Sequence, residues 1–151
     1  MANEIHVDYV SGNTLYAVVR DSAGRVWYPG GQVFEDWGMS SRAADDYDIS
    51  LTDKGGNRYV GSFDSNIPAG RYSIQVFLQA GANPADSDNL VGSGEIVWSG
   101  VGEVTGDKLL ANKAVQNKST GEIKYYDDDG QTVLLTHTPT DAKATITRTP
   151  S

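Results

Sequence analysis

Two histidines, His6 and His137, and no cysteine are what the chain offers for nucleophilic catalysis beyond its hydroxyls. There is no Gly-x-Ser-x-Gly elbow. A Ser-His-Asp constellation needs three convergent groups, and His6 and His137 both read as polar residues on strand faces. Carboxylates are plentiful, in Glu35-Asp36-Trp37, Asp45-Asp46-Tyr47-Asp48 and Asp86-Ser87-Asp88. A glycoside hydrolase needs two carboxyls facing each other across a cleft at a set separation. A sandwich of about a hundred residues rarely provides that, so these acids are expected to be solvated loop residues. The expectation is a non-enzyme with no catalytic residues and no cofactor.

Calcium is the more serious chemistry, because it takes six to eight oxygens, often from closely spaced Asp, Asn and carbonyl groups. Asn83-Pro84-Ala85-Asp86-Ser87-Asp88-Asn89 offers several, with Asp86, Asp88 and Asn89 as weak candidates, and Asp127-Asp128-Asp129 offers more. Neither has the EF-hand order of alternating ligands, Gly at six and Glu at twelve. The Asp127 run reads better as a hairpin turn. Trp27, Tyr28, Phe34 and Trp37 gather around Pro29-Gly30-Gly31. Exposed, they would be a platform for stacking a glycan or for a protein contact. Buried, they are core, the commoner fate of Trp in a small sandwich.

The elements that must position these residues follow period two, which puts every second side chain on one face of a strand. Tyr72, Ile74, Val76 and Leu78 share a face, as do Leu15, Ala17 and Val19, and Tyr47, Ile49 and Leu51. Shorter candidates are Ile5–Val10, Val26–Tyr28, Val33–Glu35, Arg58–Phe63 and Gly94–Trp98. Seven or eight short strands in about 100 residues, with turns every 8–12, are the pattern of a sandwich or barrel. Asp21-Ser22-Ala23-Gly24, Asp53-Lys54-Gly55-Gly56, Asp127-Asp128-Asp129-Gly130 and the longer Asn117-Lys118-Ser119-Thr120-Gly121 share one turn plan. In it an Asp or Asn folds onto the backbone N–H groups that follow, and Gly takes the positive φ that closes the loop. Helix is expected only as one turn in Ser40–Asp46 and about two in Asp107–Val115.

The charge is divided unevenly. Residues 1–105 carry 6 basic and 14 acidic side chains, the whole net charge of -8, whereas residues 106–151 carry 6 of each. The first part also holds 12 of the 14 aromatics, so the boundary is set near Thr105-Gly106. An acidic chain repels phosphate backbones, so nucleic acid is not an expected partner. No apolar run reaches the ~18–20 residues of a membrane span. Met1-Ala2-Asn3-Glu4 runs straight into strand-like alternation, so no signal peptide is expected. The tail is Thr-rich and only 14 of its 46 residues are apolar. A piece that small cannot stabilise itself, so it must pack on the first part, on another copy or on another protein.

Asn112-Lys113-Ala114-Val115-Gln116-Asn117-Lys118-Ser119-Thr120-Gly121, followed by Tyr125-Tyr126-Asp127-Asp128-Asp129-Gly130-Gln131-Thr132-Val133-Leu134, resembles the C-terminal hairpin segment of tailed-bacteriophage structural proteins. Leu15–Trp27, Ile67-Pro68-Ala69-Gly70-Arg71-Tyr72 and Gly94–Trp98 resemble an immunoglobulin-like domain found in phage and prophage genes. The resemblance implies an all-β protein: an Ig-like antiparallel sandwich (1–105) carrying a β-rich C-terminal arm (106–151). It further implies a virion protein made in the host cytoplasm, serving in head decoration, connector, tail or baseplate, with itself and other virion proteins as partners. On this reading the arm pairs its strands with neighbouring subunits. Ile123, Tyr125, Val133, Leu135 and Ile146 supply the contact side chains, and Leu109 and Leu110 anchor the connection. The alternatives are a carbohydrate- or surface-binding sandwich, with Trp27–Trp37 as platform, and an extracellular filament subunit.

Overall fold

The computed structural model describes residues 3–142 and 145–150, with side chains described through Thr140. Nine strands precede Thr105: β1 (Ile5–Asp8), β2 (Leu15–Arg20), β3 (Val26–Tyr28), β4 (Val33–Glu35), β5 (Ile49–Ser50), β6 (Thr52–Asp53), β7 (Arg58–Gly61), β8 (Gly70–Leu78) and β9 (Asn89–Trp98). They form two antiparallel sheets, a three-stranded β1-β7-β6 and a larger β4-β3-β2-β8-β9 in which β5 also pairs β2. The fold is an all-β antiparallel sandwich. The alternating face of β8 (Tyr72, Ile74, Val76) meets Leu15, Ala17 and Val19 of β2, and all six are buried between the sheets with Ile5, Tyr59, Phe63 and Trp98. The β8–β9 ladder carries a bulge at Val76/Phe77, and β9 is longer than the alternation of Gly94–Trp98 suggests.

Strand β2 is buried on both faces. The side away from the main core (Tyr16, Val18) is covered by a second cluster with Val26, Ala44 and Tyr47. Ala44 and Tyr47 come from α1 (Ala44–Tyr47), a single turn nucleated where the Asp46 carboxylate accepts the Ala43 N–H at 3.0 Å. This corrects the expected strand face of Tyr47, Ile49 and Leu51. Tyr47 ends a helix and lies on the opposite side of the sheet, while Ile49 and Leu51 pack on the main core.

The four expected turns close as their chemistry dictates. Asp21 Oδ1 accepts the N–H groups of Ala23 and Arg25 between β2 and β3, and Asp53 Oδ1 accepts that of Gly55 between β6 and β7. Beyond Thr105 come α2 (Gly106–Ala111), β10 (Ala114–Gln116), β11 (Ile123–Tyr126), β12 (Val133–Ala142) and β13 (Thr145–Pro150). The last four strands form an antiparallel sheet in sequence order. Its first two hairpins again turn on Asn117 with Gly121 (φ 75°) and on Asp127 with Gly130 (φ 64°).

Candidate functional site

The C-terminal sheet and its seat on the sandwich form the site that the interface residues define. After β9 the chain doubles back: Val104 N–H donates to the Val97 carbonyl at 2.8 Å, and the Ser99 hydroxyl accepts the Gly102 N–H. Thr105 then caps α2, accepting the Lys108 N–H through Oγ1. The Lys108 ammonium bonds Asp127 Oδ1 at 3.0 Å, tying α2 to the β11–β12 turn. Partial burial works against that ammonium, but the hydrogen bond and charge of Asp127, with Asp128 and Glu103 nearby, outweigh it and raise its pKa. Asn112 Nδ2 donates to Asp128 at 2.8 Å, and the Lys113 ammonium sits 4.5 Å from the centre of the Tyr126 ring. Leu134 is 4% exposed, closely packed on Gly102: a methyl added to Gly102 would come within 2.8 Å of it.

Register places Ile123 opposite His137 and Tyr125 opposite Leu135, so these four share one face. They are half-buried, and the Tyr125 and His137 rings meet edge-on at 5.2 Å. Leu135 and His137 line a cleft of about 400 Å³ against Val97, Trp98 and Val104 of the sandwich. Val133 is half-buried, and the side chain of Ile146 lies outside the described residues. Leu109 is half-buried and Leu110 is 90% exposed. Within the chain, Leu134 makes the buried contact. Its signal was the unbroken run Val133-Leu134-Leu135, apolar on both faces of one strand. At the outer edge every residue of β10 is exposed, Val115 by 43%.

Two of the calcium candidates, Asp88 and Asp86, hold backbone groups of the fold. Asp88 is buried, and its carboxylate accepts the N–H groups of Ala80 (3.1 Å) and Ala85 (2.8 Å) and the Tyr16 hydroxyl (3.1 Å). Burial alone would raise its pKa; these donors prevail and lower it. Asp86 Oδ1 accepts the Ala44 N–H at 2.9 Å, and Asn89 is exposed at the start of β9. Asp129 closes its turn on Gln131 and Thr132. Among the described residues, no group of three or more His, Asp or Glu is placed to hold a metal ion.

The four aromatics do not make one platform. Neighbours in a strand point to opposite faces, so Trp27 enters the main core, where its indole N–H donates to Asp64 at 2.8 Å, while Tyr28 joins the second cluster. Phe34 stacks on Tyr72 at 5.3 Å, and Trp37 packs on Tyr47 at 5.0 Å. Beside them lies a polar knot that no sequence motif marks. Glu35 accepts the Tyr47 hydroxyl at 2.9 Å and pairs with Arg42 at 3.1 Å, whose guanidinium lies 3.9 Å from the centre of the Tyr28 ring. No family model, no curated protein and no solved structure matches the chain.

Proposed function

We propose that this is a non-enzymatic structural protein of a phage virion that assembles by strand pairing through its C-terminal sheet. The carrying observation is the open edge at β10. Its three residues are all exposed, and Val115 (43% exposed) lies close in the chain to Leu110 (90%). An edge strand presents N–H and C=O groups that a neighbouring sheet completes, and adjacent apolar side chains add specificity. The meander already pairs its inner strands, so growth proceeds from its edge. The virion placement rests on the likeness of residues 112–121 and 125–134 to phage hairpin segments. A head-to-tail repeat of the contact gives a ring or a filament according to whether the rotation closes.

The test is made on the full chain. Val115→Lys puts a charge on the edge, a common block to edge pairing, and Leu110→Asp removes the apolar neighbour. Sedimentation should show wild-type assemblies at high concentration, dispersed by the paired substitutions with the melting temperature unchanged. A wild type that stays monomeric, or assemblies indifferent to both changes, would defeat the proposal. Mass spectrometry of purified phage particles tests the virion placement separately.

A further inference from the structure

A second site lies on the outer face of the larger sheet, remote in sequence from the assembly edge and argued independently of it. We infer that the recess lined by Tyr16, Arg20, Trp37, Gln75, Phe77 and Asp86 binds a single neutral saccharide ring. Its volume is about 240 Å³, which suits one ring rather than an extended chain.

The recess is built and braced. Its floor is the β2–β8 ladder, where Tyr16 stands opposite Phe77 with rings stacked at 5.5 Å and Val18 stands opposite Gln75. One wall comes from Trp37 and Ala44, the other from Ala85 and Asp86. The walls are tied by the Ala44 N–H to Asp86 Oδ1 bond (2.9 Å) and, beneath, by the Tyr16 hydroxyl to Asp88 (3.1 Å). Three polar atoms remain for a guest. Arg20 spends Nε on Gln75 Oε1 (2.6 Å) and Nη1 on the Gly24 carbonyl (2.9 Å), leaving Nη2. Accepting from Arg20 fixes the Gln75 amide, with Nε2 as a donor. Asp86 keeps Oδ2 as an acceptor. None of the three has a hydrogen bond among the described residues.

Charge narrows the guest. The Arg20 guanidinium, 5.0 Å from the centre of the Trp37 ring, repels a cation. Asp86 in the wall, with Asp88 hydrogen-bonded to the Tyr16 hydroxyl beneath, repels an anion. A neutral ligand that both donates and accepts, and sets a C–H face against aromatic rings, satisfies the set. A sugar ring does all of this. Of the four aromatics around Pro29-Gly30-Gly31, only Trp37 lines the recess.

The full chain is applied to an array of neutral hexose and N-acetylhexosamine oligosaccharides beside sialylated and uronate-containing ones. Binding of neutral glycans is expected, reduced at least tenfold by Gln75→Ala and by Phe77→Ala and unchanged by Val97→Ala at the other cleft. Gln75→Ala removes a half-exposed amide, so its melting temperature should hold even if Phe77→Ala lowers stability. Absence of neutral-glycan binding, binding of acidic glycans alone, or binding indifferent to Gln75→Ala would overturn the assignment.

Discussion

Leu134→Ala should release the C-terminal sheet from the sandwich without unfolding the sandwich. Among the described side chains from Gly106 onward, Leu134 alone is buried, at 4% exposed, so it makes the most buried contact of the sheet. Truncating a buried leucine costs about 2–5 kcal/mol, more where the site cannot collapse. Here the tight Gly102 turn, pinned by Ser99, resists collapse, and ~3 kcal/mol is a fair value within that range. At 1.4 kcal/mol per factor of ten, local opening of the sheet becomes about 100-fold more frequent. Hydrogen–deuterium exchange in dilute solution reads this directly. Peptides from β11 and β12 should exchange about 100-fold faster, with those from β2 and β8 unchanged, as expected of regions that open separately. Equal acceleration in β2 and β8, or none in β12, would refute the reasoning that Leu134 is what holds the sheet in place.

Two further outcomes follow from buried polar groups. Arg42→Ala leaves the Glu35 carboxylate (8% exposed) with only the Tyr47 hydroxyl. It should cost about 3 kcal/mol, the lower end for breaking a buried pair, and the double variant with Glu35→Gln should recover part of it in thermal unfolding. For Asp88, the folded pKa lies below the ordinary aspartate value of about 3.9. Its stabilisation is therefore complete above pH ~4 and is lost as pH falls through the lower folded value. Asp88→Asn should be less stable near neutrality by roughly 1–2 kcal/mol, having lost charge-assisted bonds. Its stability should then fall less than that of wild type below pH 4, as denaturant titrations at a series of pH values would show.

What could be read from the chain was mostly local. The Asp/Asn-x-x-Gly turns are settled by bonds within a few residues, so all four hairpins could be placed in advance. Alternation in Tyr72–Leu78 marked β8 because one face of that strand meets the opposing sheet. Tyr47 misled for the opposite reason. Its spacing from Ile49 and Leu51 fits a strand, but Asp46 captures the Ala43 N–H and turns the chain before it. The second cluster depends on contacts between segments far apart in sequence, α1 and the Ala85–Asp88 loop on β2. No periodicity announces it. The recess between Trp37 and Asp86 was hidden likewise, since Arg20, Gln75 and Asp86 come from three separate segments. Trp27 and Tyr28 looked like one platform only while the alternation of β3 was left out of account.

Every pairing in the β10–β13 meander joins neighbours in sequence, and the turns on Asn117 and Asp127 are short. Structures built from local pairings close their loops cheaply and form quickly. The demand on the preceding domain is small: a turn such as 99–104 that offers Leu134 a socket, and a helix such as α2 whose lysine meets the Asp127 turn. A segment with these properties is portable. Moved by recombination near residue 105, it could be grafted onto an unrelated domain that presents the same socket, carrying its open edge with it.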